Sequence, residues 1–218
     1  YYSKLFKSVE IDSTFYRIPT KSQVYGYFRS SPKDFVFSAK MPKTLTHEKR
    51  LSLELGVKKD LWEYLELLNP LHNAGKLGAI LIQLPPSFTY KNDRENLAAF
   101  FEILPKEYEF AVEFRNHSWF RDDVWKLLTN HKVAYTVVDE PLLPPEVHVT
   151  ADFSYIRWHG RGTRPWYDYH YSHQELEQWV PKILDVSKKV EKVYGYFNNH
   201  YHGYAPENCI EILEMLNI

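Results

Sequence analysis

The sequence predicts an α/β fold with parallel strands, of the (β/α)8 TIM-barrel-like type. Strand-length apolar runs alternate with helical segments along all 218 residues. The sequence contains no G-x-G-x-x-G pattern of the kind that opens many doubly wound sheets. Each predicted strand carries a polar residue at or near its carboxyl end, which is where barrel enzymes keep their active sites. These residues are Asp12, Lys40, Gln83, Arg115, Asp139, His159 and Asn199.

Seven strands are predicted from short runs rich in β-branched and aromatic residues. They cover residues 8–12, 35–40, 79–84, 109–115, 134–140, 154–160 and 192–199. A barrel of this type has eight strands, so we expect the first strand to lie before Tyr1. No Ser/Gly-rich linker or change of composition divides the chain, and residues 1–218 are therefore predicted to form a single domain.

Helical segments lie between most of these strands, with apolar residues at three- and four-residue spacing. The predicted helices cover residues 21–32, 58–78, 92–105, 121–132, 172–190 and 205–218. The third is expected to begin at an Asn/Asp cap, Asn92 and Asp93. The fifth begins with a Ser-x-x-Glu capping box at Ser172 and Glu175. Pro206 is expected in the first turn of the last helix, where its missing N–H costs nothing.

Composition excludes several classes of protein. A formal net charge of −1 provides no global basic field for nucleic acid, although a locally basic site could still accept a strand end. The longest apolar runs fall short of the ~20 residues that a membrane-spanning helix needs, so no membrane partner is expected. The single cysteine, Cys209, lies in an apolar helical pattern and is predicted to be a buried structural thiol. We expect a cytoplasmic protein, and the sequence gives no prediction of oligomeric state.

Two-residue alternation separates polar from apolar faces in the predicted strands. Glu10 and Asp12 lie opposite Val9 and Ile11, while Ser38 and Lys40 lie opposite Phe37 and Ala39. Glu113 with Arg115, and Arg157 with His159, repeat the pattern. The polar set is therefore predicted to point into a barrel mouth, where carboxylates and cations can balance one another.

Four ordered stretches of the sequence resemble a known family. They are VEIDSTFYRIP (9–19), VEFRNHSW (112–119), YIRWHGR (155–161) and YFNNHYHGYAPENC (196–209). These stretches are similar to the signatures of domain of unknown function 72, also called YecE-like. The resemblance runs from about Phe6 to the C-terminal helix and implies a TIM-barrel type of fold. Members of that family usually begin with a strand resembling GTSGW, which this sequence does not contain. The resemblance implies no particular reaction.

The candidate catalytic residues are three groups at the predicted strand ends, Glu113, Asp139 and His159. Glu113 with Arg115 fits either an acid/base carboxylate beside an anion-binding guanidinium or a structural ion pair. The candidate substrate- or anion-binding residues are Lys40, Arg115, Arg157, Arg161, Asn198, Asn199 and Tyr204. Two arginines flanking His159 suit a phosphate or a carboxylate, and a salt-bridged strand end is the alternative. The amides of Ala205–Glu207 could hold an anion at a helix start, or simply form a polar entry loop.

A divalent metal is possible but not favoured. Glu10, Asp12, Glu113, Asp139 and His159 include the ligand types that suit Mg²⁺ or Mn²⁺. The cations Lys40, Arg115 and Arg157 could neutralise these carboxylates instead, and no short-range metal-ligand motif is visible. No cofactor is therefore assigned.

The strand-end residues favour a barrel enzyme that acts on a small anionic substrate, phosphorylated or carboxylated, by acid/base chemistry. A glycosidase-like hydrolase with two carboxylates is an alternative. The aromatic loop at 161–172 favours a hydrolase, and the excess of Arg and Lys at the strand ends opposes it. Two further alternatives are a nucleic-acid-binding or phosphodiester-cleaving protein and a non-catalytic ligand sensor.

Overall fold

The computed structural model describes residues 1–163 and 165–218. Within these ranges, seven strands alternate with helices, and every strand pair described below is parallel. The fold is therefore of the α/β barrel-like class that the sequence predicts. The chain divides into two compact units, residues 1–119 and residues 120–218, which are described in turn.

The first unit contains four parallel strands and the helices that connect them. In chain order its elements are α1 (Tyr2–Leu5), β1 (Ser8–Ile11), α2 (Ser13–Tyr16), α3 (Lys21–Ser30), β2 (Val36–Lys40), α4 (Val57–Asn73), β3 (Leu77–Gln83), α5 (Tyr90–Glu102) and β4 (Phe110–Glu113). The register pairs Ile11 with Ala39, Lys40 with Leu81, and Gln83 with Glu113. The carboxyl ends of all four strands thus lie along one edge of the sheet.

The core of this unit confirms the predicted alternation of faces. Ile11 and Phe37 pack against Val24 of α3 and Leu71 of α4. Because successive strand residues point to opposite faces, Glu10, Asp12, Ser38 and Lys40 lie on the face away from these helices. The ion pair between Lys40 Nζ and Asp12 Oδ1, at 2.9 Å, agrees with this placement.

The second unit contains three parallel strands and four helices. In chain order its elements are α6 (Asp122–His131), β5 (Ala134–Asp139), β6 (Phe153–Trp158), α7 (His173–Glu177), α8 (Val180–Ser187), β7 (Lys192–Phe197) and α9 (Tyr204–Leu216). The Ser172–Glu175 capping box is present as predicted, and Pro206 lies in the first turn of α9.

Two helix predictions were wrong in detail. The helix expected over residues 172–190 is two helices, because Pro181 lies in the first turn of α8 and has no N–H with which to continue the α7 hydrogen bonds. Helix α5 begins at Tyr90 with Thr89 as its N-cap, ahead of the expected cap. The Asp93 carboxylate accepts the Thr89 N–H at 2.7 Å and also binds Arg50, so it serves the helix start from inside the first turn.

Candidate functional site

Strand register in the second unit brings three polar strand ends together. Asp139 pairs with Trp158, and Trp158 pairs with Phe197. The His159 N–H donates to the Asp139 carbonyl at 2.9 Å, and the Asn198 N–H donates to the Trp158 carbonyl at 2.7 Å. Asp139, His159 and Asn198 therefore stand side by side at the carboxyl edge, where the sequence predicts Asp139, His159 and, in the last strand, Asn199.

Alternation along the strands divides these residues between two faces. Arg157, His159 and Asn198 share one face, which we call the arginine face. The His159 Nε2 atom lies 3.5 Å from Arg157 Nη1, and its Nδ1 atom lies 3.2 Å from the Asn198 amide. Arg157 and His159 are each only 1% exposed. Arg157 Nη1 and Asn198 Nδ2 are both donors, and a neutral imidazole has one lone pair, so the His159 ring accepts a hydrogen bond from one of the two.

Asp139 lies on the opposite face, with Trp158, against the helices. Its carboxylate accepts from Arg161 Nε at 2.6 Å, from Arg161 Nη2 at 2.8 Å and from the Trp179 indole N–H at 2.8 Å. The Trp158 and Trp179 rings pack edge to face. These contacts satisfy the buried carboxylate and favour a structural role, since Asp139 is separated by the sheet from the arginine face.

Arg161 extends this structural network into the loop that follows β6. Its Nη1 atom lies 3.7 Å from Glu175, whose carboxylate also accepts the Tyr169 hydroxyl at 2.5 Å. Burial opposes ionisation of Glu175, but hydrogen bonds from Tyr169 and Ser172 outweigh it and hold the pKa of Glu175 below its usual value. Burial and the Glu175 partner raise the pKa of Tyr169 to about 12. Arg161 thus sits between two carboxylates, Asp139 and Glu175.

Gly160 allows the same loop to fold back on itself. Its φ of +89° favours glycine, and a Cβ atom there would lie 2.4 Å from the Trp166 carbonyl oxygen. The Gly160 N–H donates to the Tyr171 hydroxyl at 2.9 Å. Gly160 therefore permits a close approach of two backbone segments within the loop.

Asn199 and Tyr204 occupy different surroundings from Asn198. The Asn199 amide donates to the Tyr169 carbonyl and to Asn208 Oδ1, at 2.8 and 2.9 Å, so it joins the loop to α9. Tyr204 begins α9 and stacks on His170, with ring centroids 4.6 Å apart. Asn199 and Tyr204 were both predicted to bind an anion. In the contacts described, neither side chain touches the arginine face.

The first unit holds the remaining predicted residues in two ion pairs. Lys40 binds Asp12, as described above, and Arg115 Nε lies 2.5 Å from the fully buried Glu113 carboxylate. Phe114, on the other side of β4, stacks on Trp119. The strand with an apolar and a charged face that the sequence predicts at residues 109–115 is thereby confirmed, and both roles considered for Glu113 fit the contact.

Several residues of these networks were not predicted as site residues. Trp179 and Glu175 come from helices far along the chain from Asp139, and no spacing in the sequence connects them. His47 lies in a loop after β2 beside Lys40 and Phe15. The only sequence signal for it was its position, since loops after barrel strands carry function.

No group of three or more His, Cys, Asp or Glu side chains is arranged to hold a metal ion among residues 1–163 and 165–218. In the same ranges no helix combines the length and the apolar character that crossing a membrane requires. Cys209 is half-buried, where the sequence predicts a buried thiol, and burial raises the pKa of this thiol to about 11.

The parallel strands and the polar carboxyl edge define an α/β protein of the barrel-like class, and comparison with known proteins gives its family. The family model "Protein of unknown function DUF72" matches residues 1–218, and the chain belongs to this family. The resemblance seen in the four sequence stretches is thus confirmed.

Relatives and solved structures agree with this assignment. The chain is 27% identical to the UPF0759 protein YunF of Bacillus subtilis, over 100% of this chain and 86% of YunF. It is 29% identical to the UPF0759 protein YecE of Escherichia coli K12, over 55% of this chain and 42% of YecE. A crystal structure of a DUF72 family protein from Thermotoga maritima matches with a TM-score of 0.86 and 33% identity, over 98% of this chain and 85% of that one. A DUF72 family protein from Enterococcus faecalis matches with a TM-score of 0.84 and 26% identity, over 100% and 92% of the two chains.

Proposed function

We propose that this protein is a barrel enzyme that acts on a small anionic substrate by acid/base chemistry at the carboxyl ends of its strands. The observation that carries the proposal is the arginine face, where a buried guanidinium, an imidazole and an amide converge at the ends of β6 and β7. A guanidinium binds carboxylate and phosphate oxygens with two parallel N–H groups, so Arg157 is the proposed anchor for the anion.

His159 is the proposed proton-transfer residue of this site. Its imidazole is neutral beside the donors of Arg157 and Asn198, and a neutral imidazole can accept a proton near neutral pH. Asn198 fixes the ring orientation through the second nitrogen. Because Asp139 is occupied by Arg161 and Trp179 on the other face, we assign it to support of the loop and not to the reaction.

The test is a thermal melt with inorganic phosphate, sulfate and acetate, against sodium chloride at the same ionic strength. Binding at a hundredfold excess over Kd stabilises the folded state by about 2.7 kcal/mol. For a chain of this size, that corresponds to an increase in Tm of roughly 5–10 °C. We expect at least one of these anions to give such a shift, and Arg157→Gln to remove it.

Arg121→Gln is the matched control, because Arg121 pairs with Asp123 at the surface with about half of its side chain exposed. This variant should keep the full anion-dependent shift. Three anions without effect on the wild-type protein, or an equal shift in Arg157→Gln, would contradict the proposal. Circular dichroism of each variant verifies that the fold is retained.

A further inference from the structure

The segment after β2 adopts a strained conformation that is anchored on both sides. Residues Thr44–Glu48 form a π-helical turn, and Arg50 and Leu51 follow with φ of 48° and 57°. Positive φ at a residue other than glycine is unfavourable and persists only where the surroundings impose it. Arg50 binds both oxygens of the buried Asp93 carboxylate at 2.7 Å, which fixes the end of the segment.

This segment holds His47 in a defined orientation. The imidazole ring packs edge to face on Phe15, with centroids 4.9 Å apart. Its Nδ1 atom lies 2.8 Å from the hydroxyl of Thr46, and that hydroxyl donates to the Pro42 carbonyl at 3.4 Å. We assign the tautomer in which the hydroxyl proton is directed at Pro42, so that Nδ1 carries the ring proton and donates to Thr46. The lone pair of a neutral ring is then on Nε2.

The charge state of His47 agrees with this arrangement. Burial lowers the pKa of His47 from 6.5, and the charges of Lys40 and Lys43 lower it further, against the opposing charge of Glu48. The neutral form therefore dominates at neutral pH. Phe15, which packs against the ring, is uncharged.

Lys40 contacts the same aromatic ring as His47. Its ammonium lies 4.2 Å from the Phe15 centroid and 2.9 Å from Asp12 Oδ1. An ammonium has three donors. Asp12 is the hydrogen-bond partner of Nζ within the part of the chain that the structure describes, so donor capacity remains for a ligand. The Lys40 carbonyl accepts from Thr14 and Tyr64, which fixes the backbone.

We propose that Lys40 and His47 form a site that removes a proton from the carbon next to the carbonyl group of a small carbonyl compound. His47 Nε2 takes the proton as the C–H bond breaks. The electron pair forms a carbon–carbon double bond, and the carbonyl π electrons move to the oxygen, where the Lys40 ammonium stabilises the negative charge. Return of the proton reverses the step, so no oxidant, reductant or co-reactant is consumed.

The pairing of a charged lysine with a neutral histidine is what this reaction requires. All residues of the site lie between Asp12 and Asp93, so the inference does not depend on the arginine face. Thr46 is a positioning residue that acts through His47.

The experiment follows exchange of deuterium from D₂O into hydroxyacetone, pyruvate and dihydroxyacetone phosphate by ¹H NMR. The wild-type protein should accelerate exchange into at least one probe above the buffer rate. His47→Gln and Lys40→Met should each lower this rate by about 10²–10⁴-fold, the range of general acid–base catalysis. His173→Gln and Lys58→Gln remove an exposed histidine and an exposed lysine, and should leave it unchanged. Buffer-level exchange for all three probes, or full activity in His47→Gln, overturns the proposal.

A measurement without any probe tests the geometry itself. ¹⁵N NMR of the wild-type imidazole should show a neutral His47 at pH 7 with its proton on Nδ1. Thr46→Val should keep the fold by circular dichroism, shift the ring toward the Nε2–H form and lower the exchange rate. A charged ring at pH 7, or Nε2–H in the wild-type protein, would overturn the assignment of His47 as the base.

Discussion

Two lysines of the first unit are equally buried but have very different partners. Lys76, 5% exposed, precedes the amino end of β3, and its ammonium donates to the Phe28 and Ser31 carbonyls and to the Ser31 hydroxyl. Lys40, 6% exposed, ends β2 at the carboxyl edge and has one carboxylate partner and an aromatic ring. Both ammonium groups lie over a phenylalanine ring, but within residues 1–163 and 165–218 the Lys76 ammonium donates to three acceptors and the Lys40 ammonium to one.

The difference follows the division of labour in parallel α/β folds. Polar groups at the amino ends of the strands serve stability, and those at the carboxyl ends are available for chemistry. A buried charge is tolerated in either place only when it has partners. The number and kind of those partners, more than the burial, therefore separates a structural lysine from a candidate functional one.

Replacing each lysine by methionine should give the largest contrast in stability. Lys76→Met leaves three acceptors without their donor, at about 1–3 kcal/mol for each buried acceptor that finds no other partner. We expect a total loss of about 2–4 kcal/mol, since the Ser31 hydroxyl can turn to another acceptor. Lys40→Met leaves Asp12, whose side chain is 45% exposed and can rehydrate, so the loss should be at most about 1 kcal/mol.

Urea melts of both variants measure these losses as shifts in midpoint at constant slope. Lys58→Met, a change of the same size on an exposed helix position, is the reference. If Lys40→Met is as destabilising as Lys76→Met, Lys40 is a structural residue, and the contrast between the two strand ends fails.

Much of the contrast between strand-end residues could be predicted from the sequence, because side chains alternate between the two faces of a strand with a period of two residues. Glu10, Lys40, Arg115 and His159 were placed on the correct faces by counting alone. The face of Asp139 could not be predicted, because its partner Trp179 comes from a helix whose position depends on the Pro181 break. His47 was missed for a similar reason, since the π-helical turn depends on Arg50 reaching Asp93, and no local pattern encodes that contact.

Asp139 sharpens the comparison because it lies at the carboxyl edge yet resembles Lys76 in its partners. Asp139→Asn removes the charge while keeping the shape of the side chain. Hydrogen bonds to a charged group contribute about 1.5–3 kcal/mol, and Arg161 is partly exposed, so we expect a loss of about 2 kcal/mol.

The anion-dependent shift in Tm that we assign to Arg157 should survive in Asp139→Asn, because the two residues lie on opposite faces of the sheet. Trp179→Phe, which removes one of the three donors, should lose less stability than Asp139→Asn. A stable Asp139→Asn variant that nevertheless loses the anion response would show that Asp139 belongs to the functional set after all.

The smallest expected effect is the pH dependence contributed by Glu175. Its pKa is lowered in the folded protein because the hydrogen bonds from Tyr169 and Ser172 outweigh the effect of burial. A carboxylate whose folded pKa is depressed contributes stability above its unfolded pKa, near 4.3, and loses it as the pH falls through the folded pKa. Stability of the wild-type protein relative to Glu175→Gln should therefore be greatest above about pH 5 and should decrease toward about pH 3. With Arg161 partly exposed, the contribution should be about 1 kcal/mol or less.

Urea melts at pH 3, 5 and 7 measure this contribution of Glu175, and Glu177→Gln on the exposed side of the same helix is the control. If the difference in unfolding free energy between wild type and Glu175→Gln grows as the pH falls, the folded protein would raise the pKa of Glu175 instead of lowering it. The Glu175 carboxylate would then lack sufficient hydrogen-bond partners in the folded protein, in contrast to the Lys76 ammonium.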